Sequence, residues 1–234
     1  MNIQVRSASR YCGKTTISIL LACSIQKVLS KDVFIVTNEI EDYGIYFSAC
    51  EQYKESFLVN EQSIIGEIHL TTKVTEDLKA MCIQVTKGIY ILPLRDPEVK
   101  SDLAQIMQRV PEVFIFDNSD KDINPVYLRT ILFVFDNQEK KIRELLEKYS
   151  RMTDMEKYRT IFVCNKFMIG YDNQDRVIRL LNSKRDQIIF MKYLFMFKNQ
   201  KKDGILDFIY KSLDKQPDYV QYDKQLRELA QYGN

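Results

Sequence analysis

Four stretches of this chain are apolar without interruption: Val33-Phe34-Ile35-Val36, Ile89-Tyr90-Ile91-Leu92, Ile131-Leu132-Phe133-Val134-Phe135 and Ile161-Phe162-Val163-Cys164. A strand with one wet face alternates apolar and polar side chains, so a strand with no polar position is covered on both sides. Such strands belong to parallel sheets, whose crossover connections lay helices over the faces. Candidate strands run over Asn2–Arg6, Asp32–Thr37, Gly88–Leu94, Val113–Phe116, Thr130–Phe135, Thr160–Cys164 and Gln187–Met191. Between them lie helical patterns: Thr15–Ser30, Ser101–Arg109 with a Ser N-cap, Asn137–Lys148 with Ile142, Leu145 and Leu146 on one face, Asp172–Asn182 and Ile205–Leu213. This alternation predicts an α/β fold, a doubly wound and mostly parallel sheet with helices on both faces. The stretch from Ile40 to Val85 is longer than a simple crossover and is expected to hold one or two helices, Thr75–Gln84 among them. No Pro-, Gly- or Ser-rich linker divides the chain, so residues 1–215 are expected to form one domain and 216–234 a tail or docked helix.

Composition narrows the function. With 45% hydrophobic residues among 234, the chain can bury a full core. A net charge of +2 creates no global field that would demand nucleic acid. Basic residues alternate with acids, as in Glu139-Lys140-Lys141-Ile142-Arg143-Glu144, which reads as solvated helix surface. The run Lys198-Asn199-Gln200-Lys201-Lys202 lacks the aromatic platform of a single-strand binder and reads as a solvated loop. The five cysteines, Cys12, Cys23, Cys50, Cys82 and Cys164, are odd in number and include no Cys-x-x-Cys pair. They are expected to be reduced, small hydrophobes in a cytoplasmic protein. His69 is the one histidine, which excludes most histidine-based metal sites. No apolar run approaches the roughly 18 residues of a membrane span, and no signal peptide is expected ahead of the first strand. In the tail, Tyr222, Leu226, Leu229 and Ala230 fall at roughly helical spacing, but Asp223 and Glu228 dilute its charge, so membrane contact is expected to be weak or indirect.

The chemistry concentrates at the first strand–helix junction, Ser7-Ala8-Ser9-Arg10-Tyr11-Cys12-Gly13-Lys14-Thr15-Thr16. Strand, loop with Gly-Lys-Thr-Thr, then helix is the context of a phosphate-binding loop. A helix start offers unpaired N–H groups and a positive dipole end to phosphate. Gly13 would let the backbone approach closely, Lys14 would reach the β- and γ-phosphates, and Thr15 would hold Mg²⁺. Without ligand, Lys14 is expected to face solvent. The motif is incomplete, since its usual first Gly is Ala8. Asp117 ends the strand Val113–Phe116, where an acid serves as the second Mg²⁺ anchor, usually through water.

Taken together, these elements resemble the MinD/ParA family of P-loop ATPases with a deviant phosphate loop. The family pattern Lys-Gly-Gly-x-Gly-Lys-Thr-Thr aligns with Ser9-Arg10-Tyr11-Cys12-Gly13-Lys14-Thr15-Thr16. The family's Asp-x-Asp after its second strand aligns with Thr37-Asn38-Glu39, its Leu-Pro with Leu92-Pro93, its Walker B acid with Asp117 and its late Asn-Arg with Asn165-Lys166. The resemblance runs from about Asn2 to Leu213 and rests on the order and spacing of elements more than on any one motif. It implies ATP or ADP and Mg²⁺ as ligands, a nucleotide-dependent homodimer, Glu39 orienting the attacking water and Asn165 reading the adenine. Arg10, Tyr11, Cys12, Gly13, Lys14, Thr15 and Thr16 would line the phosphates.

The departures from the family shape the functional expectation. Its signature lysine, which reaches the partner's phosphates across the dimer, falls on Ser9; Arg10 is the cation that could replace it, with a different reach. Tyr11 places a side chain where bare backbone usually meets phosphate. Glu39 in place of Asp shifts a carboxylate by about one methylene, and misplacing a catalytic group can cost about 10²-fold in rate. The expectation is a switch ATPase, slow in hydrolysis, that dimerises with nucleotide and positions or assembles a protein partner. Its degenerate loop resembles the TadZ-like branch that localises pilus-assembly machines. The alternatives are a pseudo-ATPase adaptor with nucleotide as a structural ligand, and a metabolic ligase or kinase on the same fold.

Overall fold

The computed structural model describes residues 2–7, 12–43, 74–94, 110–117, 130–152, 157–167, 172–182 and 187–192, with Lys224 and Arg227. Eight strands form one sheet: β1 (Asn2–Ser7), β2 (Val33–Thr37), β3 (Ile83–Thr86), β4 (Ile89–Pro93), β5 (Val113–Phe116), β6 (Thr130–Asp136), β7 (Arg159–Phe167) and β8 (Ile188–Lys192). The helices are α1 (Lys14–Leu29), α2 (Val74–Ala80), α3 (Glu139–Ser150) and α4 (Gln174–Leu181), with a 3-10 turn over Ile40–Tyr43. The expected helices Ser101–Arg109 and Ile205–Leu213, the terminal tail as a unit, Cys50 and His69 lie outside the described residues.

The strands lie in the order β3-β4-β2-β5-β1-β6-β7-β8. Every neighbouring pair is parallel except β3 with β4. From β1 the chain crosses over β5 to reach β2, while from β6 it moves the opposite way to β7 and β8. Right-handed crossovers in opposite directions put their helices on opposite faces. Accordingly, α1 packs with Ile3, Val5, Val33, Ile35, Val113 and Ile115, and α3 and α4 pack on the other face with Phe114, Phe133, Phe135 and Phe162. The first face is aliphatic. The second is aromatic, with Phe34 stacked between Tyr90 and Phe114 at centroid distances of 5.3 and 5.2 Å.

Two local readings are revised. The helix expected over Thr75–Gln84 stops at Ala80, and Ile83–Thr86 is an edge strand antiparallel to β4. Ile83-Gln84-Val85-Thr86 alternates apolar and polar with a period of two, and the tight turn at Lys87-Gly88, where Gly88 has φ 78°, returns the chain as a hairpin. Likewise β7 does not end at Cys164 but continues through Asn165 and Lys166, the latter at φ 58°, with its register to β8 shifting between Cys164 and Phe167. That irregularity is a bulge, which re-aims the strand tip. Helix α1 is buried continuously from Ile17 to Ile25, so its apolar stripe extends around the helix.

Candidate functional site

Parallel pairing brings the C-terminal ends of β2, β5 and β1 to one rim of the sheet, because Val36 lies opposite Phe116 and Phe116 opposite Gln4. The chain leaves β1 there and enters α1 through Gly13, which caps the helix at φ 84°. That left-handed conformation favours glycine. A Cβ at Gly13 would also lie 2.2 Å from Asn165 Nδ2, so the backbone and the bulged tip of β7 touch directly. Asn165 Nδ2 donates to the Cys12 carbonyl at 2.8 Å. The Gly13 carbonyl accepts the first helical bond, from Ile17 N at 3.0 Å, and the amides of the first turn have no acceptor of their own within the helix.

Lys14 does not face solvent as expected. Its side chain is 17% exposed and lies between two acids, with Nζ 3.2 Å from Asp117 Oδ1 and 3.3 Å from Glu39 Oε2. Electrostatics explains the difference: Asp117 is fully buried, and a buried carboxylate draws the nearest cation inward. Burial alone would lower the Lys14 pKa, but the charges of Asp117 and Glu39 outweigh it and leave the ammonium harder to deprotonate than usual.

The acids are held by two groups to which the sequence motifs assign no role. Thr37 Oγ1 donates to the Asp117 carbonyl at 3.0 Å and accepts from Glu39 N at the same distance. One hydroxyl thus ties the tips of β2 and β5 together and aims Glu39. The second group is Tyr43, at the end of the 3-10 turn. It is fully buried, and its hydroxyl donates to Asp117 Oδ2. No local pattern marks Tyr43, because it acts across 74 residues of sequence. Thr37 could have been noticed as a hydroxyl at the C-terminal end of an otherwise apolar strand.

Burial is the main influence on Asp117 and pushes its pKa up to about 6; Lys14 and the Tyr43 hydroxyl pull in the other direction. Burial and the adjacent Asp117 charge hold the Tyr43 phenol well above its usual value. Among the described residues Asp117 Oδ1 has no aligned hydrogen bond, although Lys14 is within ion-pairing distance. A buried carboxylate oxygen, short of donors and beside a lysine that could move to phosphate, suits a cation such as Mg²⁺. If the Thr15 hydroxyl, on the first turn of α1, joined it as expected, the donor set would be oxygen throughout, as a hard cation requires.

The structure therefore brings together Cys12, Gly13, Lys14, Glu39, Asp117 and Asn165. Thr15 and Thr16 follow in the first turn of α1 and are partly exposed. Arg10 and Tyr11 lie outside the described residues. Cys12, Cys23, Cys82 and Cys164 are thiols outside any disulfide; burial pushes Cys23 up to about 12 and raises Cys82 and Cys164 as well, consistent with packing rather than reactivity. Among the described residues no helix is long and apolar enough to cross a membrane.

No family model matches the chain, and no curated protein does. Solved structures do. A ParA family ATPase from Chlorobium tepidum superposes with a TM-score of 0.70 at 15% identity, covering 98% of each chain. The MinD cell division protein of Aquifex aeolicus gives 0.65 at 16% identity, covering 97% of this chain and 95% of that one. The septum site-determining protein MinD of Pyrococcus horikoshii, complexed with Mg-ADP, gives 0.53 at 11% identity, covering 98% and 96%. At such low identity the likeness is one of architecture: this chain has the fold of the ParA and MinD P-loop ATPases.

Proposed function

We propose that this protein binds ATP with Mg²⁺ and acts as a switch ATPase, slow in hydrolysis, that dimerises with nucleotide to place or assemble a protein partner. The observation that carries this reading is the position of Lys14, on the first turn of α1 and between the acids that end β2 and β5. In this reading Lys14 and the backbone from Cys12 to Thr16 hold the phosphates, Thr15 and Asp117 hold the metal, Glu39 orients water and Asn165 reads the base. Mg²⁺ would supply charge neutralisation on the phosphates. Arg10 would take over the trans contact of the missing signature lysine, and residues 1–215 would form the ATPase unit, with 216–234 as its tail. The output is the positioning of a machine such as a pilus or secretion assembly, from the cytoplasm and by recruitment through the partner. Support comes from the shared architecture with ParA and MinD proteins and from the convergence of these residues at one rim.

The test is titration with ATP and ADP in Mg²⁺, with the mass followed by sedimentation. ATP should bind and double the mass, whereas ADP should bind without doubling it. In single-turnover assays Glu39→Gln should retain ATP binding and slow cleavage about 10²-fold or more. A wild-type protein that binds ATP but never cleaves it would instead favour the adaptor, a reading that the Lys14–Glu39 ion pair also supports, since it occupies the carboxylate that would orient water. A wild type that binds no nucleotide ends both.

A further inference from the structure

Tyr43 has no role in the reading above, yet it contacts the centre of the site. Its hydroxyl is completely buried, and a buried phenol needs a partner for its proton. Here the partner is Asp117 Oδ2. Through this bond the ring joins the 3-10 turn after β2 to the strand that ends at Asp117. Asp117 is thereby divided into two unequal oxygens. Oδ2 is capped by Tyr43, while Oδ1 has no aligned donor among the described residues and faces Lys14 at 3.2 Å. The backbone of Asp117 is fixed as well, by Thr37 Oγ1 on its carbonyl and by its N–H on the Val36 carbonyl at 2.9 Å. The same seven-residue stretch, Thr37 to Tyr43, carries Glu39.

We infer that Tyr43 is a positioning residue for the metal of this site: its hydroxyl pins Oδ2 of Asp117, which would leave Oδ1 as the oxygen offered toward a divalent cation. This rests on the nucleotide reading above and extends it to the metal requirement. Without the hydroxyl, the carboxylate can rotate or engage the cation with both oxygens, and a hard cation with strict octahedral demands is penalised by either change. Tyr43 and Glu39 are four residues apart, Glu39 lying just ahead of the 3-10 turn that ends at Tyr43.

The experiment is a Mg²⁺ titration of ADP binding by wild type and Tyr43→Phe, which keeps the ring and removes only the oxygen. The Mg²⁺ concentration at half-maximal binding should rise about tenfold, the size of one hydrogen bond to a charged group. In the Asp117→Asn background, adding Tyr43→Phe should shift that midpoint by less than about twofold, because the two residues act through one contact. An unchanged midpoint in Tyr43→Phe overturns the inference. So does an equal loss of ADP affinity at every Mg²⁺ concentration, which marks a purely structural tyrosine. A wild type that binds ADP with no Mg²⁺ dependence overturns the metal role of Asp117 together with the inference, whereas a wild type that binds no ADP at all removes the nucleotide reading beneath both. Should Tyr43→Phe fail to fold, 3-fluorotyrosine placed at position 43 serves instead. Its ¹⁹F resonance should move when Mg²⁺ is added to the ADP complex, and a resonance that stays fixed overturns the inference.

Discussion

Two aspartates end the two strands that flank β1, and they lead opposite lives. Phe114-Ile115-Phe116-Asp117 closes β5, and Phe133-Val134-Phe135-Asp136 closes β6. The local patterns are nearly identical, and both acids follow the alternation that points them toward the α1 face. Asp117 is fully buried, bonded to Tyr43 and paired with Lys14. Asp136 is partly exposed and accepts the Gln138 amide at 3.2 Å, turning the chain into α3. The difference comes from the connection rather than the strand. Helix α1 leaves β1 on the β5 side, and the stretch after β2 folds over the same tip. At β6 the chain goes directly into α3, on whose exposed face Glu139 pairs with Arg143 at 2.7 Å and Arg176 at 2.5 Å. An acid at a strand tip thus becomes a site only when other elements bring a cation to it and exclude water.

The largest effect should separate the two acids directly. Lys14→Ala leaves Asp117 buried without its cation, and we expect a loss of about 3 kcal/mol of stability together with loss of nucleotide binding. Asp136→Ala removes only a turn bond and should cost about 1 kcal/mol or less. Urea unfolding and ATP titration measure both, and equal costs for the two variants would break the comparison.

A smaller effect should appear in pH dependence without ligand. Burial raises the Asp117 pKa from 3.8 to about 6, so the folded protein holds this proton more tightly than the unfolded chain. The stabilising contribution is fully present below about pH 4, falls as pH rises to about 6 and stays lost above that. Two pKa units correspond to about 3 kcal/mol across this window, as an upper bound for a coupled pair. Asp117→Asn should flatten the slope between pH 4 and 6 in urea unfolding, while Asp136→Asn should leave it in place. A wild-type curve without that slope would mean that Lys14 and Tyr43 fully compensate the buried charge.

The smallest effect concerns the other side of the loop. Asn165→Ala removes the bond to the Cys12 carbonyl and should cost about 1 kcal/mol. If Asn165 also reads the base, the variant should lose more affinity for ATP than for GTP. Equal loss for both nucleotides would make Asn165 a brace for Gly13 and nothing more.

Much of this was legible in the chain. The unbroken apolar runs were enough to call for a mostly parallel sheet covered on both faces, since doubly buried strands tolerate such runs, but they did not show the antiparallel edge pair of β3 with β4. Gly13 and Lys14 marked the loop because a strand–Gly-Lys-Thr-Thr–helix order is local in sequence. Local pattern failed where one element depends on another. The start of the strand Ile83–Thr86 was read as the end of a helix over Thr75–Gln84, and its pairing with β4 corrects that. The bulge that turns Asn165 against Gly13 has no marker in Asn165-Lys166. Above all, the sequence named Asp117 and Glu39 as candidates but could not say that they would hold Lys14 between them, nor that Tyr43 would bind the far oxygen of Asp117. Those facts depend on contacts across 25, 74 and 103 residues (the last from Lys14 at 14 to Asp117 at 117). Burial and charge are properties of the assembled neighbourhood, and only the tertiary structure decides which strand tip becomes dry.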